Sequence, residues 1–203
     1  MKKVARVYIQ RHGDKDGDKL SPLGIQQVVD SVITNLAGIE FHSLYASKKY
    51  RTLQTVVYAV GVLEGTNRGL GIETREGFDF IGAPDIDRWK EISAAVKELA
   101  GDKPATVAMW AQAAPVYVSH IRPRITAEIL KVATETLQRT GNAEVNILVG
   151  CHGPLSELAC LDMDTMPALQ EADIVLYEIH ITDFVDDDLR ASIVASTHIP
   201  RGF

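Results

Sequence analysis

The stretch VARVYIQRHGDKDGD, residues 4–18, decides how the rest of the sequence is interpreted. It begins with a segment rich in β-branched and aromatic residues, which predicts a short buried strand over 4–10. Arg11, His12 and Gly13 follow at once, and a polar loop comes after them. A strand can end in any polar residue, so the triplet indicates a catalytic site only if other segments supply partners for His12.

Composition limits the classes of function to be considered. The chain has 203 residues and a formal net charge of −6, which argues against charge-driven binding to nucleic acid or to a membrane surface. Two cysteines are too few for a disulfide framework, and no apolar run is long enough for a membrane span or typical of a signal peptide. We therefore expect a cytoplasmic protein that forms one domain over 1–203; its oligomeric state is left open.

Strand-like and helix-like segments alternate along the chain, which predicts an α/β fold with a mostly parallel central sheet. Gly, Pro and Ser residues mark the ends of several segments. Further strands are predicted at 41–47, 71–76, 144–153, 173–181 and 192–197, the last two paired across the acidic turn 183–188, and helices at 21–38, 50–65, 84–101 and 125–138. The segment 104–125 is ambiguous: ATVAMW suggests an extended strand, and a substrate-covering insertion would lie here.

Two His-Gly pairs are the strongest internal clue to function. IQRHG and VGCHG each place a histidine where a predicted strand ends, which is the edge where α/β sheets bind ligands. Arg11 directly follows a predicted strand and Arg51 opens a helix shortly after the strand 41–47, and guanidinium groups match phosphate oxygens in geometry. The residues alone also allow a simpler interpretation, in which these histidines and arginines only end strands or lie at the surface.

The ordered motifs resemble those of the histidine phosphatase superfamily, which includes the cofactor-dependent phosphoglycerate mutases and many small phosphatases. The matching blocks are Arg11-His12-Gly13, then LSPLG at 20–24, then Ser47 with Arg51, Gln54 and Thr55, and finally His152-Gly153. Each block alone is a weak signal, but four in family order are specific. The resemblance implies a three-layer α/β/α sandwich of the phosphoglycerate mutase-like type.

The resemblance also implies a phosphohistidine mechanism of the histidine acid phosphatase type. His12 would attack phosphorus through one ring nitrogen while a backbone carbonyl holds the proton on the other. Arg11, Arg51, His152 and Gly153 would bind the phosphoryl oxygens, and water would then hydrolyse the phosphoenzyme. No metal or other cofactor is expected, because the guanidinium groups supply the positive charge.

The general acid that protonates the leaving group is less clear from the sequence. Small members of the superfamily use a glutamate after the third strand, and Glu76 in TREGFDFIG stands in the corresponding place, with Gly82 later than the family pattern has it. Asp79 in the same loop and Asp14 after the RHG triplet are alternatives. We choose Glu76 because it is closer to the predicted strand end.

Mutase-like members of the superfamily have a longer loop after the triplet, with a Glu or Thr and an Asn that bind the substrate. The loop DKDGDK lacks these residues. A small phosphatase acting on a phosphorylated small molecule or on a phosphoprotein is therefore favoured. Two alternatives stay open: a phosphotransferase like phosphoglycerate mutase, and a non-catalytic phosphate-binding or interaction domain. The physiological substrate is not encoded in any motif.

Overall fold

The computed structural model describes residues 3–63, 69–79, 88–182 and 190–202. Its strands are β1 (Lys3–Arg11), β2 (Lys15–Asp16), β3 (Lys19–Leu20), β4 (Ser43–Ala46), β5 (Ile72–Thr74), β6 (Glu144–Cys151), β7 (Ile174–Thr182) and β8 (Arg190–Ile199). Its α-helices are α1 (Pro22–Asn35), α2 (Tyr50–Val62), α3 (Trp89–Ala100), α4 (Val107–Ala113), α5 (Pro115–Thr140) and α6 (Leu155–Leu158), and a 3₁₀ helix spans Glu76–Phe78.

Six strands form the central sheet in the order β5-β4-β6-β1-β7-β8. Strands β5, β4, β6 and β1 are parallel, whereas β7 is antiparallel to both β1 and β8. The mostly parallel α/β sheet predicted from the sequence is therefore confirmed, and the two late strands pair as expected. Strands β2 and β3 form a separate small hairpin directly after β1.

Helices cover both faces of this sheet, which confirms the three-layer arrangement. Along β1, Ala5, Val7 and Ile9 enter the larger apolar core, which packs against α3, α4, α5 and α6. The alternate residue Tyr8 enters the second core, beneath α1 and α2. The alternation follows from the twofold period of a strand, so both faces of β1 are buried. No helix within the described ranges is both long and apolar enough to cross a membrane.

The expectation that ATVAMW is extended is wrong. Thr106 caps α4 by accepting a hydrogen bond from the backbone N–H of Met109, and α5 begins at Pro115, earlier than the predicted start near Ile125. Proline at a first helical position leaves no hydrogen bond unmade, and α5 continues through Pro123 inside the helix. The start of the predicted helix 84–101, Gly82 and the predicted turn 183–188 lie outside the described residues.

Two glycines lock the loop after β1 onto the start of α1. A Cβ atom on Gly13 would lie 2.2 Å from the carbonyl oxygen of Gly24, and one on Gly24 would lie 1.9 Å from the carbonyl oxygen of Asp14. Backbone carbonyls cannot move aside as a flexible side chain can. The glycines of the RHG and LSPLG motifs are thus required by this close backbone contact.

Gly24→Ala should lower the free energy of unfolding by about 1–3 kcal/mol, the usual cost of overpacking. Gly61→Ala is the matched control: Gly61 also lies in a helix, and a Cβ there would meet nothing within 4 Å. That change should stabilise the protein by up to about 1 kcal/mol through helix propensity. Urea denaturation of the two variants measures both effects, and equal stability of the two would contradict the proposed backbone contact.

Candidate active site

The pairing register of three parallel strands brings the motifs together. In the β1–β6 pair Arg11 lies opposite Cys151, so His12 and His152 are the next residues on both strands. The backbone N–H of His12 donates to the carbonyl of Cys151 at 3.1 Å. On the other side of β6, the N–H of Ser47 donates to the carbonyl of Gly150 at 3.1 Å. The two imidazoles consequently meet, with ring centroids 5.3 Å apart.

A cleft of about 470 Å³ opens above these strand ends. It contains five of the six residues for which the sequence predicted a role, and Glu76 is the exception. Its lining consists of Arg11, His12, Gly13, Asp14, Lys15, Lys49, Arg51, Asp79, Trp89, His152, Gly153 and Glu171. Basic, acidic and aromatic side chains therefore face one another around two histidines.

His12 is buried and is held in one tautomer. Its Nδ1 lies 2.7 Å from the carbonyl oxygen of Gly13, and because a carbonyl can only accept, Nδ1 must carry the proton. Burial is the main cause that lowers the pKa of His12 to about 4. The hydrogen bond to the Gly13 carbonyl raises this pKa, and the positive charges of Arg51, Arg11 and Lys15 lower it. At neutral pH His12 is therefore uncharged, with the lone pair on Nε2.

Arg11 and Arg51 each have a buried Nε donor to which no described residue offers an acceptor. Arg11 donates to the carbonyl of Leu169 at 2.5 Å and lies 3.5 Å from Glu171, and Arg51 forms an ion pair of 2.7 Å with Asp18. The Nε atoms of both guanidinium groups are buried, and no group in the described part of the chain accepts from them. Buried polar groups are nearly always satisfied, so these donors indicate an acceptor-rich ligand.

Glycines fix the positions of both arginines. A Cβ on Gly153 would lie 3.1 Å from Cζ of Arg11, so a side chain there would press on the guanidinium group. A Cβ on Gly150 would lie 2.4 Å from the carbonyl oxygen of Thr52, which lets the first turn of α2 approach β6 closely. This approach brings Arg51, the second residue of α2, to the cleft.

His152 is oriented by hydroxyl groups. Its Nε2 lies 2.8 Å from Oγ of Ser47, which also lies 2.8 Å from Oγ1 of Thr52. Burial is the main cause that lowers the pKa of His152 to about 2, and the charges of Arg51, a protonated His12, Lys49 and Arg11 contribute to this shift. His152 is therefore neutral as well. Ser47 belongs to the motif matched from the sequence, and the structure shows that it contacts this ring.

The three acids considered from the sequence lie in different surroundings. Glu76 is paired with Lys48, which lowers its pKa chiefly through that hydrogen bond, and its side chain is 66% exposed outside the cleft. Asp79 lines the cleft and is only 1% exposed. Asp14 also lines it, but its carboxylate accepts a hydrogen bond of 2.6 Å from Ser21. The assignment of Glu76 as general acid stays a prediction that the geometry does not favour.

Sequence reasoning missed Glu171, Trp89 and the two lysines of the cleft. Glu171 could have been found, because it stands just before β7. An antiparallel strand begins at the edge where its parallel neighbours end, so the residues preceding β7 reach the site. Trp89 had no such signal, since it lies at the start of α3 and belongs to none of the matched motifs.

Comparison with known proteins adds a finding on the fold. No protein-family model and no curated protein matches the sequence. Solved structures do match over nearly the whole chain. A phosphoglycerate mutase from Bacillus anthracis str. Sterne has 20% identity and a TM-score of 0.61, with 95% of this chain and 93% of that chain covered. The protein has the phosphoglycerate mutase-like fold.

Two phosphatases with this fold match with similar coverage and with somewhat lower sequence identity and TM-score. A mycobacterial glucosyl-3-phosphoglycerate phosphatase is 16% identical with a TM-score of 0.54, covering 94% of this chain and 98% of that chain. A phosphoserine phosphatase from Entamoeba histolytica is 14% identical with a TM-score of 0.53, covering 97% and 98%. At such identities the likeness shows the fold, and the fold expected from the motif resemblance is confirmed.

The low pKa of His12 predicts a pH-dependent loss of stability. The unfolded chain has the ordinary histidine pKa of 6.5 and the folded chain about 4, so the unfolded state binds more protons between these values. Stability is therefore lost as the pH falls from about 6.5 to about 4, by on the order of 2–3 kcal/mol from this group. His12→Asn should show a shallower decline over this range in urea denaturation, and parallel curves for the two proteins would contradict it.

Proposed function

We propose that this protein is a phosphatase that hydrolyses a phosphomonoester through a phosphohistidine intermediate on His12. One observation carries the proposal: the neutral His12 lies in a cleft with two arginines whose buried Nε donors have no partner in the described part of the chain. A nucleophilic nitrogen and unsatisfied cationic donors in one cleft suit attack on a phosphoryl group. The shared fold with phosphatases and a mutase agrees with this function.

The first step would be an in-line attack by Nε2 of His12 on phosphorus. The N–P bond forms as the ester P–O bond breaks, and the leaving oxygen takes a proton from a cleft carboxyl group. The hydrogen bond from Nδ1 to the Gly13 carbonyl holds the ring in the reactive tautomer and stabilises the positive charge that develops on it. No deprotonation of His12 has to precede attack, since burial already keeps it neutral.

Arg11, Arg51 and His152 would bind the phosphoryl oxygens. The guanidinium groups neutralise charge that spreads over these oxygens in the transition state. For His152 to donate from Nδ1, its Nε2 must accept the hydroxyl proton of Ser47. Thr52 supports this arrangement because its hydroxyl lies 2.7 Å from the Lys49 carbonyl, to which it can donate, leaving the Ser47 proton for His152.

In the second step water would attack the phosphohistidine. The carboxylate that protonated the leaving group would accept a proton from this water, and phosphate and the free His12 would result. We assign this acid and base role to Asp79, because it is buried and lines the cleft while Glu76 is exposed and paired with Lys48. Arg124 holds the Asp79 loop by donating to the carbonyl of Asp79.

Phosphoryl return to the leaving group, as in a mutase, is the second candidate. The mutase from Bacillus anthracis shares the fold. The loop after His12 nevertheless forms the β2–β3 hairpin, whose Asp18 pairs with Arg51. This hairpin lacks the residues with which mutases bind their substrate after the RHG triplet. Hydrolysis of a phosphorylated small molecule or phosphoprotein is therefore the better assignment.

His12→Ala should abolish both phosphate release from an aryl phosphate and acid-labile phosphoryl labelling of the protein. Loss of the nucleophile should reduce kcat at least about a thousandfold. His120→Ala is the matched control, since His120 is exposed on α5 outside the cleft, and it should keep wild-type turnover. Turnover that survives in His12→Ala would refute the phosphohistidine mechanism. Phosphate binding without turnover by the wild type would favour a non-catalytic binding domain.

Asp79→Asn should slow the hydrolysis of alkyl phosphates by about a hundredfold or more, as expected for loss of a general acid. Aryl phosphates with good leaving groups need little protonation, so their phosphoenzyme formation should change much less in rapid-quench measurements. Glu76→Gln is the matched comparison and should leave both substrate classes nearly unaffected. If Glu76→Gln slows alkyl phosphate hydrolysis selectively and Asp79→Asn does not, Glu76 is the general acid.

A further inference from the structure

A second cavity of about 370 Å³ adjoins the cleft and shares Arg11, Gly153 and Glu171 with it. The remaining lining comes from the segment before α4, from α4 and α6, and from the chain before β7. These residues are Pro104, Ala105, Trp110, Pro154, Glu157, Leu169 and Gln170. A molecule whose phosphoryl group lies on Arg11 could extend into this cavity without leaving the protein surface.

The charge of this cavity is opposite to that of the phosphate site. Glu157 lines it and is only 2% exposed, and one carboxylate oxygen accepts a hydrogen bond of 2.6 Å from Ser156. Glu171 adds a second carboxylate, and Arg11, the one basic residue of this lining, lies 3.5 Å from it and donates to the Leu169 carbonyl. Two acidic side chains therefore face one basic side chain in this lining. Burial raises the pKa of Glu157, and the hydrogen bond from Ser156 and the charge of Arg11 oppose this shift only in part. A ligand cation beside Glu157 would stabilise its charged form further. The phosphate mechanism has no use for Glu157.

Trp110 provides an aromatic wall to the same cavity. Its ring stacks on Trp89, with centroids 5.1 Å apart and an interplanar angle of 19°, and Trp89 lines the neighbouring cleft. Indole faces attract cations more strongly than other aromatic side chains do. Two carboxylates beside an indole suit a positively charged nitrogen better than an anion.

We infer that the second cavity binds the leaving group of the substrate and selects one that carries a positively charged nitrogen, as in the phosphomonoester of an amino alcohol. The inference rests on the proposed phosphatase function for the placement of the phosphoryl group. Arg11 then stands between the two ends of the substrate, with the phosphate on one side and the ammonium group near Glu157 and Glu171 on the other. Gly153 keeps the passage beside Arg11 open.

The test measures binding in the His12→Ala background, so that no hydrolysis intervenes. The probes are 2-aminoethyl phosphate with propyl phosphate, and 4-aminobutyl phosphate with pentyl phosphate, each pair differing in charge but little in size. Calorimetry should show at least one amino ester binding about tenfold or more tightly than its alkyl partner, as a charge-assisted hydrogen bond provides. Equal affinities within both pairs would overturn the inference.

Adding Glu157→Gln should remove most of this preference while the affinity for the alkyl phosphates changes little. Glu144→Gln is the control, since Glu144 is exposed and paired with Arg6 far from the cavity, and it should keep the preference. Should Glu157→Gln fail to fold in a thermal unfolding scan, Glu171→Gln is the second variant. Glu171 also pairs with Arg11, so its readout is the ratio of amino ester to alkyl ester affinity, and this ratio should fall. A preference that persists in every folded Glu157 and Glu171 variant would also refute the site.

Phosphate release by the wild type from the same four esters separates this inference from the proposed function. Selective binding of an amino ester without release from any ester would overturn the phosphatase assignment and keep the cation site. Release of phosphate without a preference for the amino esters in binding would keep the phosphatase assignment and overturn the cation site.

Discussion

The parallel pairing of β1 with β6 is the constraint on which the site depends. In this register Arg11 lies opposite Cys151, so the next residue on each strand is a histidine. A shift by one residue would turn each side chain to the other face of the sheet and separate the two imidazoles. Gly13 and Gly24 preserve the geometry beyond the strand end, because only backbones without Cβ atoms can approach so closely. His12 is thus positioned by backbone contacts.

Burial sets the protonation of the site. Both histidines are neutral because the protein interior and the nearby arginines oppose a second positive charge. The arginines in turn are restrained by an acid each, Glu171 for Arg11 and Asp18 for Arg51. These contacts still leave the Nε donors unused among the described residues. A phosphoryl group would therefore meet preorganised donors and an uncharged imidazole at once.

The segments outside the sheet contribute acidic and aromatic side chains to the cleft and to the second cavity. The 3₁₀ helix after β5, bound by Arg124, presents Asp79 to the cleft, and the start of α3 presents Trp89. On the other side of Arg11, α4 and α6 contribute Trp110 and Glu157 to the second cavity. The sheet edge therefore holds the histidines and arginines to which we assign the phosphoryl chemistry, and the surrounding helices line the space to which we assign the leaving group.

The sequence by itself determined the sheet, the order of its main elements and the residues at the strand ends. Periodicity and terminal glycines are local signals, and parallel strands bring their carboxyl ends to one edge, so Arg11, His12, Arg51 and His152 could be placed together before the structure was known. ATVAMW was misjudged because its apolar residues fit a strand as well as a helix, and the Thr106 cap decided between them. Only the tertiary structure brought Glu171, Trp110 and Glu157 beside Arg11 and showed Asp79 buried in the cleft with Glu76 exposed. Those placements depend on packing between segments distant in the chain, for which no spacing within the sequence provides a signal.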